Sequence, residues 1–247
     1  MVTYLNLGKY GRLGNQLFEI AGTIGMAIKS GHEFGFPQWI NHDHATRFHS
    51  GEDINVQDYF KNPLPAVVPG EYRVYNIRWG YWNVTVPDGV TIEGHMQSEK
   101  YFAHCSGRIR HYFELKKLSD MVIPDNAIAI HVRLGDYDNA YHPRLDMKYY
   151  GKALRDFPLN YKWYVFSDDP AIARRMFGCN AEYIEDNHYM VDFYLMTQFK
   201  NFIIGNSTYS WWPAWLNGKI VYAPLYWFGP AAKVTAKDIY CDGWIII

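Results

Sequence analysis

The sequence predicts an α/β fold, a parallel sheet with helices on both faces, and three observations carry the prediction. Residues 121–225 alternate short, continuously apolar runs with helix-like stretches. Unbroken apolar runs mark strands buried on both faces, and a β–α–β–α order calls for parallel pairing. The strand-like runs end in polar clusters at residues 133–136, 167–169 and 206–210. Open parallel sheets bind ligands at the carboxyl ends of their strands. The N-terminus repeats the theme with a strand-like run, a glycine loop and an amphipathic helix.

Element by element, residues 3–7 read as a strand and residues 8–14 as a loop carrying Gly8, Gly11 and Gly14. Residues 15–30 form a helix with Leu17, Ile20, Ala21, Ile24, Ala27 and Ile28 on one face. Gly31 stands just past its end, where a left-handed cap is favoured. Residues 37–90 mix Pro, Gly and aromatics with weak periodicity, and residues 90–94 read as a strand. In the second half, Val122, Ile123 and residues 127–132 read as strand. Residues 147–157 read as helix and 163–166 as strand. Ser167, Asp168 and Asp169 precede Pro170, which suits capping of a helix that runs to residue 177. Then come strand 183–184, helix 191–199, strand 202–204, helix 210–216 and strand 220–222. A boundary falls at 115–125, giving domains 1–120 and 121–247.

Composition bounds the function. The 247 residues suit one large domain or two compact ones, and 49% apolar residues suffice for a core. The 18% aromatic content, with nine Trp and twenty-one Tyr, is mainly a packing resource, and some rings could form sugar-stacking walls. A net charge of −1 argues against nucleic acid as a partner and leaves room for a nucleotide. Cys105, Cys179 and Cys241 are odd in number and lack metal-ligand spacing, which suits free thiols in a reducing compartment. The N-terminus lacks a basic, then apolar leader. No apolar run reaches the roughly 20 residues of a membrane span. The expectation is a soluble, cytoplasmic protein with no transmembrane segment; the sequence sets no oligomeric state.

The strand ends carry the chemistry. Arg133, closing a buried strand, needs an anion, and its planar fork suits a diphosphate. In transfer from a nucleotide-sugar, charge develops on the leaving phosphate, and a fixed cation there favours the transition state. The competing reading is an ion pair between Arg133 and Asp136. Ser167, Asp168 and Asp169 either cap the helix at Pro170 or offer a carboxylate to a guanine edge or a ribose. Asn206, Ser207, Thr208 and Ser210 stand at a helix N-terminus, a natural phosphate cradle. Asn206 to Thr208 and Asn83 to Thr85 also match glycosylation sequons, discounted without a secretory leader. The strand–glycine loop–helix at residues 8–18 is a general anion site, where Asn15 and Gln16 either reach a ligand or cap. His42, His44 and His49 with Asp43 could suggest a metal, but their irregular setting favours a solvated loop. No metal and no cofactor are expected.

Five strings resemble, in order, the motif set of the alpha-1,2-fucosyltransferase family. They are Gly-Arg-Leu-Gly-Asn-Gln-Leu-Phe (11–18), Gly-His-Met-Gln-Ser-Glu-Lys-Tyr-Phe (94–102), His-Val-Arg-Leu-Gly-Asp-Tyr (131–137), Ser-Asp-Asp (167–169) and Asn-Ser-Thr-Tyr-Ser-Trp-Trp (206–212). The resemblance implies a GT-B-like pair of Rossmann-type domains facing a cleft. It also implies GDP-fucose as donor substrate, a terminal galactoside acceptor, inversion and no metal. Domain 1–120 would take the acceptor and domain 121–247 the nucleotide-sugar. Arg133 would bind the donor β-phosphate. Asp168 or Asp169, with the backbone near His131, would read guanine or ribose. Ser207, Thr208 and Ser210 would cradle phosphate, and Asn15 would line the cleft. Gly14, Ser167 and Asn206 complete the implied donor-binding set. Leu134 stands where the family often has a second Arg, a loss Arg12 could offset, and the chain is short for the family. Candidates for the catalytic base are Asp136, Glu99, Asp43 and His95. Asp136 is chosen for its nearness to Arg133, with ion pairing or capping as its competing role.

Overall fold

The computed structural model describes residues 1–41, 53–137 and 140–247. They form two compact units, residues 1–116 with 237–239, and residues 117–236 with 240–247.

The N-terminal unit contains β1 (Val2–Thr3), α1 (Leu13–Ser30), β2 (Ile40–Asn41), β3 (Ile54–Asn55), β4 (Arg73–Asn76), β5 (Val90–Glu93) and α2 (Ser106–Tyr112). A parallel sheet runs in the order β1-β5-β4, with β5 in the middle, and β2 and β3 pair antiparallel. The strand expected at residues 3–7 is only β1. Backbone turns, Leu7 N–H to Tyr4 O and Lys9 N–H to Asn6 O, fold the following residues away from the sheet. α1 starts two residues earlier than its periodicity suggests. Gly31 closes it in the left-handed conformation, φ 73°, donating to the Ala27 and Ile28 carbonyls. β4 escaped the periodicity because it is an edge strand with mostly exposed side chains. Asp238, from the late segment of this unit, accepts from Lys100 Nζ at 2.8 Å and from the Tyr81 N–H at 3.1 Å.

The C-terminal unit contains β6 (Ala127–Val132), α3 (Met147–Leu154), β7 (Lys162–Ser167), α4 (Pro170–Phe177), β8 (Ala181–Ile184), α5 (Tyr189–Met196), β9 (Asn201–Ile203), α6 (Thr208–Asn217), β10 (Ile220–Ala223) and β11 (Ile245–Ile246). All six strands pair parallel, in the order β11-β10-β9-β6-β7-β8. In order of appearance this is 3-2-1-4-5-6, the dinucleotide-binding arrangement. Alternation along β6 sorts the helices. Ile128, Ile130 and Val132 pack with Tyr149, Tyr150 and Ala153 of α3 and Ala173 and Phe177 of α4. On the other face the His131 ring meets Tyr209 of α6 at 5.7 Å, and Tyr209 meets Phe193 of α5 at 5.5 Å. Val122, expected in a strand, is 86% exposed and lies outside the sheet, because an isolated apolar pair has no strand to join. β11 pairs with β10 through a C-terminal run that the periodicity left unread. Among the described residues no helix is long and apolar enough to cross a membrane.

Candidate active site

The chain leaves β6 toward β7 and returns through β9 on the opposite side, so β6 and β9 form the switch point of the sheet. The loops after these two strands part there, which is where such sheets hold ligands. They carry Arg133 and Asp136 after β6, and Asn206, Ser207, Thr208 and Ser210 after β9.

Arg133 is fixed from two sides. Its Nη2 donates to Asp136 Oδ1 at 2.6 Å and its Nη1 meets Asp168 Oδ2 at 2.9 Å. Its guanidinium also lies 5.8 Å from the Tyr137 ring centroid. The ion pair weighed against an anion-binding role is therefore present. It uses two of the five guanidinium N–H donors, and both are anchored by neighbouring loops.

Asp168, considered as a reader of guanine or ribose, is occupied within its own domain. Oδ1 accepts from the Leu134 N–H at 2.8 Å, and Oδ2 from the Gly135 N–H at 2.9 Å as well as from Arg133. One carboxylate at the end of β7 thus ties down the loop after β6. Gly135 makes this possible, since a Cβ there would stand 2.8 Å from Asp168 Oδ2. Asp169 takes the capping role, and Ser167 braces the turn before it. Asp169 Oδ1 accepts from the Ile172 N–H at 3.0 Å, and Ser167 Oγ accepts from the Asp169 N–H at 3.1 Å. Leu134 turns its side chain into the core beside Ile130 and Val132, so an arginine at that position would have to leave the core to meet a ligand.

On the β9 side, Ser207 caps α6, its Oγ accepting from the Tyr209 N–H at 3.3 Å. Thr208 is the first helical residue. Ser210 is fully buried and donates to the Ser207 carbonyl at 3.3 Å, which faces it inward rather than toward a ligand. Asn206 Nδ2 donates to the Pro143 and Trp227 carbonyls, each at 3.1 Å, while its buried Oδ1 makes no hydrogen bond. The start of α6 stands at this end, and helix N-termini are favourable places for an anion.

Three tyrosines hold the two strand ends together; Tyr137 closes the motif at 131–137, and only aromatic abundance hinted at the other two. Tyr137 donates to the Asn206 carbonyl at 2.6 Å across the switch point. Tyr150 donates to the His131 carbonyl at 3.0 Å, and Tyr149 to the Ile204 carbonyl at 2.7 Å. The Tyr149 and Tyr150 hydroxyls lie outside every motif and give no sequence signal for such bracing.

His131 is buried, with Nδ1 unpaired. Burial pulls its pKa down to about 4, against an opposing pull from Asp168. The unfolded chain takes up this proton near pH 6.5 and the folded chain only near 4. Stability therefore rises with pH across that window, is fully present above it, and is lost as pH falls through it. At roughly 1.4 kcal/mol per unit the window is worth about 3 kcal/mol. Urea unfolding at pH 4.5 and 7 should show most of that loss, and His131→Leu should remove it. An equal loss in the variant would assign acid sensitivity to other groups.

In the N-terminal unit, Gly14 and Asn15 lie in the first turn of α1, and Asn15 Oδ1 accepts from Gln97 Nε2 at 2.9 Å. Gln16 is internal, bonded to the Gly11 carbonyl at 3.0 Å, Asn41 at 3.1 Å and the Trp39 indole at 2.7 Å. Arg12 precedes the same helix. Glu99 opens a short 3₁₀ turn. His42, Asp43, His44 and His49 lie outside the described residues. Among the described residues no three His, Cys, Asp or Glu side chains converge as a metal site would require.

A 3-2-1-4-5-6 parallel sheet with helices on both faces is a Rossmann-like α/β domain. Residues 93–247 match the model of glycosyl transferase family 11, and the chain belongs to that family, the one its motifs resemble. It is 38% identical over 136 residues to the O-antigen biosynthesis glycosyltransferase WbnK of Escherichia coli, covering 49% of this chain and 44% of that protein. It is 31% identical over 189 residues to an alpha-1,2-colitosyltransferase of Escherichia coli, covering 67% of this chain and 65% of that protein. The chain thus spans less than two thirds of the length of either relative.

Proposed function

We propose that the chain is an inverting alpha-1,2-fucosyltransferase that moves fucose from GDP-fucose to a hydroxyl of a terminal galactoside. A GT-B-like arrangement belongs to this reading, with the donor on the C-terminal unit and the acceptor on the N-terminal one. The observation that carries it is Arg133, held by Asp136 and Asp168 at the switch point beside the start of α6. As the acceptor oxygen bonds to the anomeric carbon, the bond from that carbon to the phosphate oxygen breaks and its electron pair passes to the β-phosphate. Arg133 is preorganised to meet that charge, and preorganised donors of this kind are the largest electrostatic contributors to catalysis. Asp168 positions the loop. Asp136, expected as the base, serves in this reading as the counter-ion that holds Arg133 before the donor arrives.

Colitose is 3-deoxy-L-fucose, so the colitosyltransferase relative favours a second reading in which the donated sugar lacks the 3-hydroxyl. Incubation with GDP-fucose, GDP-colitose, GDP-mannose and UDP-galactose, each with a β-galactoside, separates the readings. Transfer from GDP-fucose, with an alpha-linked product by NMR and no loss in EDTA, is expected. Transfer from GDP-colitose alone would establish the second reading. Transfer from UDP-galactose alone would refute both, and strong inhibition by EDTA would refute the metal-free reaction.

A further inference from the structure

The inner face of α1 carries a carboxylate where the helical pattern calls for an apolar side chain. Glu19 is fully buried, and neither of its oxygens has a hydrogen bond of ordinary geometry. Two titratable groups face it. One is the Tyr4 hydroxyl, from the turn after β1, and the other is the His95 ring, whose Nδ1 lies 3.5 Å from Glu19 Oε1. Glu93, at the end of β5, acts on Tyr4. Burial pushes the Glu19 carboxyl above its usual range, and the contacts with His95 and Tyr4 oppose that push. A carboxylate so placed costs stability.

His95 is held as unusually as its partner. It follows β5, the middle strand of the N-terminal sheet, at the carboxyl end where parallel sheets bind ligands. Left-handed residues stand on both sides of it, Gly94 at φ 138° and Met96 at φ 46°. A Cβ on Gly94 would lie 2.6 Å from the Ile77 carbonyl. Backbone of this kind is retained where surrounding structure forces a side chain into one place. The ring is 45% exposed. With Nδ1 turned to the carboxylate, Nε2 is the nitrogen a hydroxyl from solvent can meet. Asn15, Gln97, Asn6 and Glu93 hydrogen-bond in pairs on the same element ends, at 2.9 Å and 3.1 Å, and offer polar groups to a sugar.

We infer that His95 is the base that deprotonates the acceptor hydroxyl and that Glu19 is its positioning residue. The inference rests on the glycosyl-transfer reading above and replaces Asp136 in that role. Nε2 takes the hydroxyl proton as the new carbon–oxygen bond forms. Glu19 stabilises the resulting imidazolium, which then returns the proton to solvent, while the nucleoside diphosphate departs with the electron pair of the broken bond. A carboxylate–imidazole pair is a common way to fix the tautomer and orientation of a general base.

The test measures kcat against pH, GDP affinity and Tm for wild type, His95→Gln and Glu19→Gln. His95→Gln should lower kcat by about 10²–10⁴-fold with GDP affinity unchanged. Glu19→Gln should lower kcat and move the acidic limb of the pH profile, yet raise Tm by about 2–4 °C, because a buried charge is gone. A merely structural pair predicts the reverse, with lower Tm and an unmoved pH profile. Transfer by wild type with His95→Gln turning over at a similar rate overturns this inference alone. Wild type that transfers from no nucleotide-sugar overturns the functional reading with it. Should His95→Gln fail to fold, histidine NMR of the wild type still decides: Nδ1 protonated and Nε2 free at neutral pH supports the dyad, and the opposite tautomer contradicts it.

Discussion

Arg133→Lys is expected to lower kcat by about 10²–10³-fold, the range found when one preorganised transition-state donor is removed. Lysine keeps the charge and can still reach one carboxylate, so Asp136 or Asp168 stays paired. What it loses is the planar fork that touches both while presenting further N–H groups to a phosphate. Turnover should therefore fall much more than stability does. Steady-state kinetics beside a thermal melt checks this. Wild-type turnover in the variant would reduce Arg133 to a structural tie between the loops after β6 and β7.

Asp168→Ala should cost about 1.5–3 kcal/mol of folding stability, as expected when the acceptor of charged and backbone N–H donors is removed. It strips the acceptor from the Leu134 and Gly135 N–H groups and leaves Arg133 with Asp136 alone. The neighbouring Asp169→Ala removes only a helix cap, worth about 1 kcal/mol. Urea midpoints of the two variants give the comparison. Equal costs for the two aspartates would mean that the loop after β6 does not depend on Asp168.

The C-terminal sheet was legible because its central strands β6 and β9 are buried along their length, and some helices begin with chemistry that marks their start. Asp169 before Pro170 is such a signal, and α4 begins there. Strand order was not legible, because nothing local in β9 says that it returns beside β6. That non-local pairing creates the switch point. Within the site, Arg133 and Asp136 could be paired from their spacing alone. Asp168 could not, since two of its partners are backbone N–H groups 33 and 34 residues away, without a sequence signature. The motif Ser-Asp-Asp divides its work between residues that look interchangeable on paper, one carboxylate anchoring a loop and the next capping a helix. In the N-terminal unit, the edge strand β4 carries too few buried residues for periodicity to register.

In the proposed reading, the loop after β6 presents Arg133 to the diphosphate of a guanine nucleotide. Titration calorimetry with GDP and UDP on wild type and Arg133→Lys tests it most directly. GDP should bind wild type at least ~10-fold more tightly than UDP, and the variant should lose about 1.5–3 kcal/mol of GDP binding, the worth of a charge-assisted hydrogen bond. Equal GDP affinity in wild type and variant would contradict it.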